Sequence, residues 1–92
     1  MTLVVTSKPP TSCRRDAVFD YQMKAMSKAG GVKFRGETVP KGMTVDPDTG
    51  RVNWRVPLLM KESKQHVVVM VTDSSGAEKP HSFDINILDR AP

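Results

Sequence analysis

Residues 39–57, VPKGMTVDPDTGRVNWRVP, decide the fold of this chain. Met43 and Val45 alternate with Thr44, and Val52, Trp54 and Val56 alternate with Asn53 and Arg55. A period of two marks half-buried strands, whose successive side chains point to opposite faces. Between the two runs stands Asp46-Pro47-Asp48-Thr49-Gly50. Pro47 presets φ for a turn, the Asp and Thr side chains can bond nearby backbone amides, and Gly50 can take the positive φ of a reversal. The stretch therefore predicts a hairpin with an apolar inner face, begun by Pro40 and Gly42 and centred on Trp54. A one-residue slip of the second strand would turn the indole outward and carry Arg55 into the core, so its register is well specified.

The same period recurs outward from this hairpin. In AVFDYQMKAM (17–26), Phe19, Tyr21, Met23 and Ala25 share one face and Asp20, Gln22 and Lys24 the other. In SFDINILD (82–89), Phe83, Ile85 and Ile87 alternate with Asp84 and Asn86. The unbroken apolar run Val67–Val71 within HVVVMVTD (66–73) reads as a central strand covered on both sides. Shorter strands are expected at LVVTS near the start, at VKFRGE (32–37) and at MTV (43–45). Turn chemistry separates them at Lys8-Pro9-Pro10, Ala29-Gly30-Gly31 and Asp73-Ser74-Ser75-Gly76. LLMKESKQ (58–65) is the one stretch that could form a helix, and a loop fits it equally well. Short strands at this spacing predict an all-β, antiparallel Greek-key sandwich of about seven strands. Its core is expected to be built on Phe19, Tyr21, Met43, Val52, Trp54, Val69, Phe83 and Ile85.

At 92 residues the chain is expected to be one domain, 1–92, with its core within about 3–89. Charged residues at 26% and apolar residues at 38% suit a folded domain, and no run has the roughly 18 apolar residues of a membrane span. MTLVVTSKPP at the start lacks the charged and apolar regions of a signal peptide. The net charge of +4 is scattered without a block of like charges, and aromatics are only 5%. A nucleic-acid surface combines a basic stripe with stacking rings, so a solvated basic surface is favoured over nucleic-acid binding. The single Cys13 cannot form an internal disulfide and is expected to be a small loop residue. Arg14 and Arg15 beside it could lower its pKa, but no base accompanies it.

Four segments together resemble a known family: Phe19-x-Tyr21…Ala25, Val39-Pro40-Lys41-Gly42-Met43-Thr44-Val45-Asp46…Thr49-Gly50-Arg51-Val52-Asn53-Trp54, Val67 through Gly76, and Phe83 through Ile87. They look like the cadherin-like, dystroglycan-type repeat, a pattern shared with Ig repeats of large bacterial surface proteins. The resemblance covers about residues 3–89 and rests most on the P-x-G-M…D-x-x-T-G-x-V-x-W string. It implies an immunoglobulin-like sandwich that serves as one bead, excised here from a larger exported protein. Such beads act as extracellular, surface or periplasmic spacers, adhesion modules or partner binders, and are not usually enzymes.

Cadherin repeats bind calcium between domains, and by that resemblance Asp73 and Asp89 occupy acidic positions. Other positions of the family's acidic pattern are replaced by Pro57-Leu58-Leu59-Met60-Lys61-Glu62 and by Met26-Ser27-Lys28. Calcium takes six to eight oxygens, so two surviving carboxylates argue for a domain without a bound metal or other cofactor. Asp46 and Asp48 have the spacing of a calcium loop, but proline stands at position 57, where its closing glutamate would lie. His66 and His81 have no ligand at metal spacing and are expected at the surface or at strand edges. No serine has a base and acid arranged around it, so no catalytic residue is expected.

Of the methionines, Met23 and Met43 fall on inner faces, whereas Met26, Met60 and Met70 could join Leu58 and Leu59 in a partner-binding patch. Core filling is favoured for them, with Pro57–Met60 folding over the open end of the sandwich. The expected function is non-catalytic contact with neighbouring domains or protein partners. Edge strands and the end loops Asp73–Gly76 and Pro57–Lys64 are the working surfaces. The alternative is a carbohydrate-binding module appended to a secreted enzyme. Sugar platforms present exposed aromatic rings, and with Trp54 and Tyr21 inward only Phe34 remains for that role.

Overall fold

The computed structural model describes residues 3–90, all extended chain, turn or loop. The strands are β1 (Val4–Val5), β2 (Ser12–Arg14), β3 (Val18–Gln22), β4 (Ala25–Met26) and β5 (Lys33–Thr38). They continue with β6 (Thr44–Val45), β7 (Arg51–Arg55), β8 (Lys64–Thr72) and β9 (Glu78–Leu88). One layer has the order β3-β7-β6, and the β1-β4 ladder prolongs it, because β4 follows β3 after only Met23 and Lys24. The facing layer has the order β2-β9-β8-β5. The first strand is thus split between layers, with β1 antiparallel to β4 and β2 parallel to β9. Joining β1 with β2 and β3 with β4 gives the seven strands and two-sheet arrangement of an immunoglobulin sandwich.

The opening hairpin forms as its residues dictate. Thr44 pairs with Asn53 and Val45 with Val52, and Phe19 lies opposite Trp54 on the other side of β7. Asp46 Oδ1 accepts from the amides of Asp48 (2.9 Å) and Thr49 (3.0 Å), and Gly50 has φ +78°. These donors, with the Thr49 amide foremost, hold the Asp46 carboxyl below its usual pKa. Asp46 and Asp48 are therefore parts of a turn, and Asp48 pairs with Lys33.

Phe19, Tyr21, Met43, Val52, Trp54, Val69, Phe83 and Ile85 are all buried, joined by Leu3, Met23, Phe34, Val56, Val67, Val71 and Ile87. Phe83 of one layer stacks on Phe19 of the other at 6.2 Å and meets Tyr21 edge-on at 5.7 Å.

Several sequence expectations need correction. Residues 12–14 form a strand rather than a loop, because switching layers lets them pair with β9. Cys13 sits half-buried on β2, and burial raises its thiol pKa, the reverse of activation. Residues 58–63 take the loop alternative and not the helix, and the stretch is shorter than expected because Lys64 and Gln65 already belong to β8. β8 is central in its sheet but covered on one face only: Val67, Val69 and Val71 are buried while Val68 and Met70 are half-buried. Phe34, expected to be free for a sugar, is 6% exposed.

His81 lies where β9 is paired only with β8, an open edge of its sheet as expected, but its side chain is half-buried. It lies within β9 facing Tyr21, whose hydroxyl is 3.2 Å from Nε2 and 2.6 Å from Ser7 Oγ. Burial lowers the His81 pKa, so folding favours the neutral ring that can accept from Tyr21. Stability from this group is complete above the unfolded value of about 6.5 and declines as pH falls below it. Urea midpoints measured between pH 8 and pH 5 are expected to fall, and His81→Gln is expected to flatten that decline.

Candidate functional site

The two ends of the sandwich carry its loops. At the upper end the β8–β9 turn meets residues 27–31, and at the lower end the β7–β8 loop meets residues 15–17 and 39–43. β1 begins near the upper end, against Met26, whereas β9 finishes at the lower end, so the chain runs through the bead lengthwise. The long dimension is 46 Å.

Asp73 organises the upper end. One carboxylate oxygen accepts from Ser75 N (2.9 Å), Ser75 Oγ (2.6 Å) and Ala77 N (3.1 Å), and the other from Ser27 Oγ (2.6 Å). Ser74 ties the same turn to the opposite loop, donating from N to Gly30 O (2.9 Å) and from Oγ to Ala29 O (2.6 Å). Asp73 is 8% exposed, and the hydroxyl of Ser27 followed by that of Ser75 holds its carboxyl below the ordinary pKa. Asp89 follows β9 at the other end and forms a 3.5 Å ion pair with Arg15. An eleven-residue strand at roughly 3.3 Å per residue separates them, so the two carboxylates cannot share one ion. Among the described residues, no cluster of three or more His, Cys, Asp or Glu could hold a metal.

Asp73→Ala is expected to lower Tm by several degrees, because four donors lose their acceptor at once. Adding calcium or a chelator is expected to leave the wild-type Tm unchanged. The Asp73 contribution is present above the unfolded carboxylate pKa of about 3.9 and is lost as pH falls through the lower folded value. The acid limb of the wild-type curve is therefore expected to shrink in the variant.

The lower end is held by Arg15, whose role the sequence did not disclose. Its guanidinium donates to Met60 O (2.8 Å) and Glu62 O (3.1 Å), clamping the β7–β8 loop. A cavity of about 360 Å³ opens there between Pro40, Lys41, Pro57, Leu59 and Met60, with Trp54 also in its lining. Trp54 is 2% exposed, yet its buried Nε1–H has no hydrogen-bond partner. Pro57–Met60 folds over the open end only in part: Met60 packs on the core, but Leu59 is 87% exposed and Leu58 43%. Met26, by contrast, is exposed at the upper end beside Val4. His66 is exposed and paired with Asp84 at 2.7 Å.

The "Putative Ig domain" family matches residues 2–88 of this sequence. The chain belongs to this family. No curated protein matches the sequence. Among solved structures, a "putative alpha-galactosidase" from Bacteroides fragilis is similar at TM-score 0.75 and 14% identity, over 92% of this Ig domain and 17% of that chain. The domain thus spans about a sixth of that protein, and the likeness is to one part of it. The sialic acid binding region of a Streptococcus sanguinis SK1 adhesin bound to 3'sLn is similar at TM-score 0.75 and 13% identity, over 98% of this domain and 30% of that chain. The BIgI domain of β protein from S. agalactiae bound to CEACAM1 matches at TM-score 0.61 and 13% identity, over 98% of this domain and 100% of that chain. At these identities the structures share a fold with this domain, and bacterial surface adhesins are among them.

Proposed function

We propose that this Ig-family domain is a non-catalytic contact module of a larger bacterial protein that acts outside the cytoplasm, at the cell surface or in the envelope. The observation that carries this reading is the contrast between its polar and apolar side chains. The groups capable of chemistry are tied to one another: Asp73 to Ser27 and Ser75, Tyr21 to Ser7 and His81, Asp20 to Arg51. Leu58, Leu59, Val4 and Met26 remain exposed at the two ends. Protein contact is favoured over glycan contact, because Phe19, Tyr21, Phe34, Trp54 and Phe83, the whole aromatic complement, are buried. The likeness to a region bound to 3'sLn supports the glycan reading as the second choice.

Immobilised domain exposed to extracellular glycoproteins before and after enzymatic deglycosylation separates the two. Retention that survives deglycosylation supports protein contact, and retention lost with the glycans supports the second reading. Turnover of p-nitrophenyl glycosides by the domain would overturn its non-catalytic role.

A further inference from the structure

We propose that the outer face of β5, β8 and β9 binds a second copy of this chain in a weak two-fold dimer. The axis runs along β8, so that Met70 meets Met70 and the basic side of each face lies over the acidic side of the other. This goes beyond the contact-module reading, whose surfaces are the ends of the bead, and either can fail without the other.

The first observation is a break in pattern. An antiparallel sheet with one face in water alternates apolar-in and polar-out. Away from the strand ends, β3 turns Asp20 outward, β7 turns Asn53, and β9 turns Ser82, Asp84 and Asn86. β8 instead places Val68 and Met70 on its outer face, although no layer covers it. They form an apolar strip along the middle of the face, widened by the exposed Pro80 opposite Met70.

The second is the placement of charge on either side of that strip. Register puts Lys33, Thr72 and Glu78 in one row across the three strands, and Arg35, Met70 and Pro80 in the next. Glu37 chiefly, and Glu78 from across β8, raise the Arg35 pKa. Glu37 pairs with Arg35 and His66 with Asp84, so the contrast in sign is sharpest in the row of Lys33 and Glu78. Lys33 gives one of its three donors to Asp48 on the neighbouring turn and keeps two.

Rotation about an axis along β8 holds every row at its own level and exchanges the two sides. Lys33 of each copy then faces Glu78 of the other, twice in one dimer. An axis perpendicular to the strands would set β5 on β5, and like charge on like. A partner of one charge would suit a single side of this face, whereas a second copy supplies both complements. Area sets the strength: three strands about 4.8 Å apart and nine residues long, at roughly 3.3 Å per residue, cover about 400 Å² per copy. A standard interface takes about 800 Å² from each partner, so the dimer forms only at high concentration.

Sedimentation velocity from micromolar to millimolar protein is expected to show a reversible monomer–dimer equilibrium. Met70→Thr keeps a strand-forming residue at an outward position, and is expected to fold normally while weakening the dimer about tenfold, since both copies lose the side chain. Lys33→Glu and Glu78→Lys, each alone, set like charges opposite each other and are expected to weaken it about tenfold. Mixed in equal amounts, these two variants are expected to pair with each other as well as wild type pairs with itself, because both contacts again join opposite charges. Leu59→Asp, at the lower end, is expected to leave the equilibrium unchanged.

A wild-type chain that stays monomeric at millimolar concentration overturns the proposal. So does a dimer indifferent to Met70→Thr or abolished by Leu59→Asp, and so do charge variants that remain weak when mixed. If the domain is strictly monomeric yet still retained on deglycosylated protein, this dimer falls and the contact-module reading stands.

Discussion

Trp54→Ala is expected to remove about 3–5 kcal/mol of stability, out of the roughly 5–15 kcal/mol that a domain of this size possesses. The ring is 2% exposed and sits beside Phe19 across the β3–β7 ladder, with Val52 and Val56, themselves fully buried, on the same face of its strand. Nothing in a β-sandwich slides in to refill such a space, since both layers are fixed by their ladders. At about 4–8 °C per kcal/mol, Tm is expected to fall by tens of degrees. Trp54→Phe separates packing from hydrogen bonding: it keeps most of the buried ring and removes the unpaired donor. Its loss is therefore expected to be much smaller. Chemical denaturation of both variants checks the order, and an alanine variant within about 1 kcal/mol of wild type would show that Trp54 does not hold the layers together.

The layers were legible in the sequence because a period of two leaves a strand few alternatives. Phe19-x-Tyr21-x-Met23, Val52-x-Trp54-x-Val56 and Phe83-x-Ile85-x-Ile87 all bury the alternating residues. Turn chemistry was legible for the same local reason, since Asp46 bonds amides two and three residues ahead. What escaped depends on long-range placement. The strand at Cys13 exists because Ser12–Arg14 lie beside Asn86–Leu88, more than seventy residues away in the chain. Val68 and Met70 look like core in a run of apolar residues, and only the layer count shows that one face of β8 has no covering sheet.

The functional surface was legible in outline, as the loops at the two ends, but not in its parts. Arg15 read as a charge near a thiol, yet it is the clamp of the lower loop through carbonyls 45 and 47 residues away. Asp73 matched an acidic position of the family with too few companions for calcium, and what its carboxylate does do, accept from the hydroxyls of Ser27 and Ser75, had no local signal. The unpaired Trp54 donor has no sequence signal. Burial of the ring can be predicted from periodicity, whereas the lack of an acceptor depends on the entire surrounding fold.

Gly50→Ala is the second large effect expected, and its cause lies in backbone rather than in buried area. Gly50 has φ +78°, a conformation that costs a side-chain-bearing residue about 1–3 kcal/mol. A Cβ there would also stand 2.9 Å from Met23 O and 2.8 Å from Phe34 Cζ. The carbonyl cannot retreat freely, because Met23 N donates to Gly50 O at 3.1 Å and holds the two chains together. Phe34 is itself buried, so its ring has little room to turn. Overpacking adds roughly 1–3 kcal/mol to the conformational cost, giving a total loss of about 2–6 kcal/mol. Gly76→Ala is the matching control, since φ there is +88° but no atom lies within 4 Å of the added carbon. It is expected to lose only the conformational part, about 1–3 kcal/mol. Equal losses in the two variants, measured by denaturant midpoint with unchanged m, would mean that the contact with Met23 and Phe34 relaxes without cost. A much larger loss at Gly50 would show that the close contact with Met23 O and the Phe34 ring does not relax.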